Sequence, residues 1–321
     1  MSTALITGGA GFIGSNLADA LIATGVRCHV VDDLSTGREL QIPGGAEFHH
    51  LDIRQADRLA EVVERVKPDV IHHLAAQVDV RKAIEDPQYD ADVNINGTIA
   101  VLEAARGVGA RVVFASTGGA GYGEYEGLPV PTDESNDVRP MAHYGQSKMS
   151  AEGYLGLYSR LYGLPTVVLR LCNVYGPRQD PHGEAGVVAI FCGKLLDGER
   201  PKVFGDGLQT RDYGYVGDIA RAFMAAAEGP AGETANIGTG VETTVLDLLD
   251  GLGYAGAPEY APARAGELQR SALDPTHAER VWGWRAEMPL AEGLGLTYRS
   301  VEAGRAAPRD RTPGFVALAS D

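Results

Sequence analysis

Short apolar runs at residues 3–7 (TALIT), 28–32 (CHVVD), 47–52 (EFHHLD), 69–75 (DVIHHLA), 111–116 (RVVFAS) and 165–171 (PTVVLRL) punctuate the first half of the chain. Their length and richness in β-branched residues predict buried strands. Segments beginning near Phe12, Gln55, Pro87 and His143 lie between them and carry apolar residues at helical spacing. Apolar strands alternating with helices predict an α/β fold with a parallel sheet covered on both faces. After residue 172 the pattern loosens into a Gly- and Pro-rich loop (176–186), a helix, a short strand at KVF and the turn GDGLQTRDY. TANIG (234–238) reads as one more buried strand, so the second half returns to the sheet. The expected division is a sheet domain over 1–171 with returning segments at about 212–240, and a smaller lobe over 172–211 and 241–302. Residues 303–321 lack periodicity and are expected to be a mobile tail.

LITGGAGFIGSNL sets Gly8, Gly11 and Gly14 between a predicted strand and a predicted helix. Glycines there permit a tight turn and close approach of a pyrophosphate to the helix N-terminus. Asp32 ends the second strand, near the place where an acidic residue receives ribose hydroxyls. Its charge repels a 2′-phosphate, which favours NAD over NADP. Asp33 beside it reads equally as a ligand or a solvated turn residue. Asp52 either reaches the adenine or caps the following helix. The sheet is thus expected to be Rossmann-like and doubly wound, with a smaller C-terminal substrate-binding lobe.

HYGQSKMSAE places Tyr144 and Lys148 four apart, on one face of a helix. A tyrosine is a poor base near neutral pH unless a nearby ammonium stabilises its phenolate. The pair follows a dinucleotide fingerprint and a strand ending in Ser116 and Thr117, and the three together make a strong signal.

A net charge of −15 disfavours nucleic acid and anionic membrane as partners. A phosphate ligand must then be held by local arginines and backbone amides. Cys28, Cys172 and Cys192 show no metal-ligand spacing, and no metal is expected. No apolar run approaches the ~18 residues of a membrane span, and the chain begins with a strand rather than a signal core. These features predict a cytoplasmic protein.

Taken together these motifs resemble the extended short-chain dehydrogenase/reductase family, most closely its UDP-glucose 4-epimerases. HLAAQVDVRKAIEDP, VNINGT, LRLCNVYGPRQDPHGEAGVVAIF and FGDGLQTRDY extend the resemblance over about residues 1–300. It implies Thr117 as the catalytic hydroxyl, Tyr144 as the base, and Lys148 as its partner and a nicotinamide-ribose ligand. It implies further NAD contacts at Phe12, Ile13, Ile53, Leu74, Ala75, Ala76 and Asn94. Asn173 is expected to contact the sugar diphosphate, and Arg211, Arg264 and Glu267 to clamp diphosphate and uridine ribose. Ser271 falls at a gate of the sugar pocket. Arg81 is expected either at that pocket or in a surface ion pair. The helices around 90–107 and 143–162 are expected to form a homodimer face.

The resemblance also separates activities. Sugar-nucleotide 4,6-dehydratases of this superfamily carry an acidic pair after the catalytic hydroxyl, and related decarboxylases keep a glutamate nearby. Here Gly118 and Gly119 follow Thr117, and Glu124 lies beyond the turn. The implied activity is a UDP-sugar 4-epimerase working through a 4-keto sugar, with UDP-glucose and UDP-galactose as the first expectation. The UDP-glucuronate/UDP-galacturonate pair and a sugar-nucleotide dehydrogenase are the alternatives. Gly121, Gly214, Cys172 and His143 depart from the epimerase pattern, and Gly121 and Gly214 are expected to enlarge the site.

Overall fold

The computed structural model describes residues 2–181, 186–264 and 266–306 of the 321. In chain order the first half comprises β1 (Thr3–Thr7), α1 (Phe12–Ala23), β2 (Arg27–Asp32), β3 (Glu47–His50), α2 (Ala56–Val66), β4 (Val70–His73), α3 (Val80–Glu85), α4 (Pro87–Ala91), α5 (Gly97–Val108), β5 (Arg111–Thr117), α6 (Gly119–Tyr122), α7 (His143–Tyr162) and β6 (Thr166–Leu171). The second half adds β7 (Asn173–Tyr175), α8 (Val187–Leu196), β8 (Lys202–Phe204), β9 (Thr210–Arg211), β10 (Tyr213–Tyr215), α9 (Val216–Glu228) and β11 (Thr234–Ile237). It ends with β12 (Thr243–Thr244), α10 (Val245–Gly251), β13 (Glu259–Ala261), α11 (Thr276–Trp282) and α12 (Leu290–Ala306).

Seven parallel strands form one sheet in the order β11-β6-β5-β4-β1-β2-β3. The chain order reverses at β1, which lies between β4 and β2. In a doubly wound sheet that reversal opens a crevice at the carboxyl ends of the strands, where ligands bind. Both faces are covered, which is why the strands are apolar throughout rather than alternating. One core packs Leu5, Val31, Ile71, Val112 and Phe114 under α2, α5 and α7. The other packs Ile6, Val113, Val167, Leu169 and Ile237 under α1 and α9. As expected, β11 rejoins the sheet beside β6. The smaller core of the second half gathers Tyr175, Phe191, Cys192, Val203, Leu248 and Leu294. Among the described residues no helix is long and apolar enough to cross a membrane.

Two differences from the sequence expectations are local. The segment expected to be a tail from 303 is helical through Ala306, and Arg305 pairs with Asp197 and donates to the Gly193 carbonyl. Residues 307–321 lie outside the described residues. Between α4 and α5 the helix widens into a single π turn at Asp92–Asn96, a feature that often marks a functional site.

Candidate active site

The turn after β1 is shaped for a pyrophosphate. Gly8 has φ +73°, and a Cβ there would lie 2.6 Å from the Ala75 amide nitrogen. At Gly14 a Cβ would lie 2.2 Å from the Gly8 carbonyl oxygen. Only glycine lets the turn, the start of α1 and the loop after β4 meet this closely. Gly11 is the N-cap of α1 and offers no side-chain cap, so the first-turn amides of Phe12, Ile13 and Gly14 have no intrahelical partner. Unsatisfied amides at the positive end of a helix dipole are the donor set a pyrophosphate needs.

Asp32 is buried at the end of β2, where Oδ2 accepts from the Ala10 amide (2.9 Å) and Oδ1 from the Leu34 amide (2.9 Å). Its carboxylate therefore braces the loop after β1 and the loop after β2. Burial raises its pKa, partly offset by those two amide donors. Asp33 is exposed and accepts from the Ser35 amide and hydroxyl, so the turn reading describes its contacts. Asp52 does not cap α2; the N-cap is Gln55, without a side-chain cap bond. Instead Arg54 holds the Asp52 carboxylate through Nε and a guanidinium nitrogen, which lowers its pKa. Ile53 is buried against Gly97 at the start of α5.

Leu74, Ala75 and Ala76 follow β4 and are partly buried along the crevice. The Leu74 amide donates to the Thr7 carbonyl, and the Ala75 amide to Thr7 Oγ1 (3.3 Å). Thr7 Oγ1 also meets His73 Nδ1 (2.7 Å), while His73 Nε2 meets Thr98 Oγ1 (3.0 Å), which itself donates to the Asn94 carbonyl. Thr98 must therefore accept from His73, which fixes the proton on Nε2. Burial lowers the pKa of His73 to about 3, so the ring is a neutral strut. Asn94 points inward from the π turn, receiving the Gln77 amide and donating to the Gln77 carbonyl and to Asp90. Its amide clamps the loop after β4.

Thr117 ends β5, and α7 lies against the turn that follows. A Cβ at Gly145 would sit 2.3 Å from the Ala120 carbonyl, so this glycine seats the helix on the turn. Lys148 is buried, donates from Nζ to the Ala115 carbonyl (2.9 Å), and lies over the Phe114 ring. Burial brings its pKa down to about 8, against the opposing charges of Asp90 and Glu152. The Tyr144 phenol is pushed up, first by burial and then by Asp90. This corrects the expectation that the neighbouring ammonium lowers it: Lys148 is turned toward Ala115, and burial outweighs its effect on the phenol.

A buried polar chain beneath this turn was not read from the sequence. Glu152 accepts from Ser116 (2.5 Å) and pairs with Arg170 (2.7 Å), which donates to the Tyr122 hydroxyl (2.9 Å). Tyr122 in turn donates to Asn236 (3.0 Å) on β11. Glu152 stands four residues after Lys148, and that spacing was the available signal. Asp212, within the RDY turn, accepts from Thr239, Gly240 and Leu273, joining both halves of the chain.

On the substrate side, Asn173 is exposed on β7, beside the end of β6. Arg211 and Glu267 come together at 3.5 Å. Arg264 is exposed and lies over the Phe204 ring at 4.0 Å. Ser271 reaches the turn after Thr117, its Oγ 3.2 Å from where a Gly119 Cβ would stand. A Cβ at Gly118 would lie 2.5 Å from Leu273. The glycine pair thus lets the 271–273 segment close onto the turn after Thr117. Glu124 serves the same junction by accepting the Gln269 amide (2.8 Å). Arg81 is exposed in the first turn of α3.

The expected enlargement at Gly121 and Gly214 is overturned. A Cβ at Gly121 would meet Met149 Cε at 2.8 Å, and one at Gly214 would meet Cys172 Sγ at 2.6 Å. Neighbouring side chains fill the space that each glycine leaves. His143 is the exposed first residue of α7, whose N-cap is Ala142. One group of potential metal ligands, His29, Glu47 and His49, occurs among the described residues, on the β2–β3 edge. His29 Nδ1 and His49 Nε2 face each other at 3.1 Å as hydrogen-bond partners, with Arg65 3.5 Å from His49 Nδ1.

Comparison with known proteins agrees with this geometry. Residues 4–238 match the model of the NAD dependent epimerase/dehydratase family. The chain is 47% identical over 305 residues to the UDP-glucose 4-epimerase of Mycolicibacterium smegmatis, covering 91% of this chain and 96% of that one. The UDP-glucose 4-epimerase of Thermotoga maritima, solved with UDP-glucose, superposes with a TM-score of 0.91 at 42% identity, over 94% of this chain and 99% of that one. The Thermus thermophilus UDP-glucose 4-epimerase, solved in complex with NAD, gives 0.88 at 41% identity, again over 94% and 99%. The chain belongs to the NAD dependent epimerase/dehydratase family. Its cofactor is NAD, and the glycine cradle, the uncapped start of α1 and Asp32 fit that group.

Proposed function

We propose that the protein is a UDP-glucose 4-epimerase interconverting UDP-glucose and UDP-galactose. The observation that carries this reading is the junction of Thr117, Gly118 and Gly119 with Ser271 and Leu273, behind which Tyr144 and Lys148 stand on α7. The space beside the catalytic hydroxyl that an acid would need for elimination is filled by Leu273 and the Ser271 hydroxyl. What remains suits removal and return of one proton and one hydride at a single carbon. The relatives named UDP-glucose 4-epimerase favour this over the uronate and dehydrogenase alternatives.

When bound, NAD supplies reversible hydride acceptance at the sugar C4. In this reading Tyr144 Oη takes the O4 proton and later returns it, while the Thr117 hydroxyl holds O4 in place. The Lys148 ammonium, one turn along α7, would offset part of the burial cost of the negative charge that Tyr144 carries transiently. Asn173, Arg211, Arg264 and Glu267 hold the nucleotide while the 4-keto sugar turns its other face; arginine suits this because its planar fork binds phosphate bidentately. The sheet domain and its returning segments would bind the cofactor, and the lobe over 172–211 and 241–302 the nucleotide sugar.

We also infer a homodimer through α5 and α7, supported by Tyr154, Leu161 and Tyr162 exposed on α7 at helical spacing. Free Cys28, Cys172 and Cys192 support work in the reducing cytoplasm. The test is incubation of the purified protein with UDP-galactose, with separation of the C4 epimers and monitoring of NADH absorbance. Equilibration with UDP-glucose without accumulating NADH is expected. Stoichiometric NADH would assign a dehydrogenase instead.

A further inference from the structure

Asp90 is fully buried at the carboxyl end of α4, behind the face of α7 that carries the catalytic pair. Three uncharged donors surround its carboxylate: Gln77 Nε2 (3.0 Å) and Asn94 Nδ2 (3.0 Å) on Oδ1, and the Ser147 hydroxyl (2.6 Å) on Oδ2. An amide nitrogen can only donate, so Oδ1 accepts twice while the Ser147 hydroxyl is directed at Oδ2, and both carboxyl oxygens are satisfied. Ser147 immediately precedes Lys148, and Gln77 and Asn94 clamp the loop after β4. The carboxylate therefore joins three segments that border the reaction centre. Burying a carboxylate is costly and is offset when a charge of opposite sign lies close by.

We infer that Asp90 is a positioning residue of this active site: through Ser147 it fixes the turn of α7 between Tyr144 and Lys148, and its charge is the standing counter-charge of the Lys148 ammonium. The inference rests on the epimerase reading for its kinetic arm only. The groups facing Lys148 support the assignment. On β5 they are the Ala115 carbonyl and the Phe114 ring. On β4 it is His73, neutral through burial. On α7, besides Tyr144, Glu152 is committed to Arg170 and Ser116. Asp90 opposes the loss of the Lys148 proton and also disfavours the Tyr144 phenolate. Asp90 thus raises both the pH at which Lys148 loses its proton and the pH at which Tyr144 does.

Asp90→Asn removes the charge and keeps the shape, and Ser147 can turn its hydroxyl to accept from the new amide. The expected result is a kcat/KM profile displaced toward acid at both limbs by about one pH unit. Ser147→Ala keeps the charge and is expected to lower kcat with the limbs unmoved. An Asp90→Asn profile lowered uniformly, with limbs at wild-type pH, overturns the inference. A second measurement needs no activity: melting temperatures at pH 7 for wild type, Asp90→Asn, Lys148→Met and the double variant. Asp90→Asn is expected to lower Tm by about 5 °C in the wild type and by ~2 °C or less beside Lys148→Met. Additive losses would show that the two charges are not coupled, even if the protein proved not to be an epimerase.

Discussion

The Lys148 ammonium donates to the Ala115 carbonyl at 2.9 Å, on the strand that ends two residues later in Thr117. That hydrogen bond ties the helix that carries Tyr144 to the strand that carries Thr117. Tyr144 precedes Lys148 by one helical turn and inherits its placement from that bond. Tyr144→Phe removes only the hydroxyl, so fold and NAD binding are expected to survive while turnover falls at least about a hundredfold. Near-normal epimerisation by the purified variant would remove Tyr144 from the role of base.

Lys148 gives a pH dependence with a definite sign. Its native pKa is lowered to about 8, well under that of an unfolded lysine, because burial disfavours the ammonium. Between these values the unfolded chain binds more proton than the native one, so this group makes stability rise with pH from about 8 toward 10.4. Lys148→Met should abolish that increment. From pH 8 to pH 10 the wild type should gain roughly 1–2 kcal/mol relative to the variant in denaturant unfolding. A constant difference across this range would show that the lysine is not desolvated.

Most of the sheet was legible because each strand is a closed apolar run bounded by turn residues; β1 matched its expected limits, and β2, β5 and β6 did so within one residue. The Tyr144–Lys148 pair was legible because a helix repeats its face every four residues. The partners of Glu152 and Asp90 were not. Arg170 lies 18 residues from Glu152, and Ser147 lies 57 from Asp90, distances that only the folded sheet closes. Glycine meaning also resisted reading. Gly121 and Gly214 each look like added space in the sequence, yet Met149 and Cys172 occupy it.

The Gly214–Cys172 contact makes that last point testable. Gly214→Ala would place a methyl 2.6 Å from Cys172 Sγ on a short buried side chain. A loss of about 1–3 kcal/mol is expected from overpacking. Cys172→Ala in the same chain should recover most of it, since it vacates the clashing atom. Equal stability of Gly214→Ala and wild type would mean that the strand shifts without penalty.

Asp32 braces two loops and is proposed to receive the ribose hydroxyls of NAD, so its substitutions should separate the two roles. Asp32→Asn keeps an acceptor for one of the Ala10 and Leu34 amides and removes the charge that opposes a 2′-phosphate. The wild type is expected to bind NAD at least ~10-fold more tightly than NADP, and Asp32→Asn to narrow that ratio. Calorimetry with both cofactors on the NAD-stripped protein measures it. An unchanged ratio would transfer discrimination to another residue.

Ser271 tests substrate breadth. Its hydroxyl stands 3.2 Å from the position of a Gly119 Cβ, so it borders the turn that follows Thr117. A small side chain there leaves room and a donor for a larger C2 substituent, as in UDP-N-acetylglucosamine, or for a C6 carboxylate. Tyrosine at the same position would project a ring into the volume beside Gly119, which cannot retreat because Gly118 already rests on Leu273. Specificity is a difference in transition-state binding, so the ring should act on the substituent rather than on the reacting carbon. Ser271→Tyr is therefore expected to lower kcat/KM for UDP-N-acetylglucosamine by 10-fold or more, in the range of about 1–3 kcal/mol, and to change UDP-glucose by less than ~3-fold. Initial rates on both sugars, with wild type and variant side by side, measure the ratio; equal losses on the two would show that position 271 does not gate the pocket.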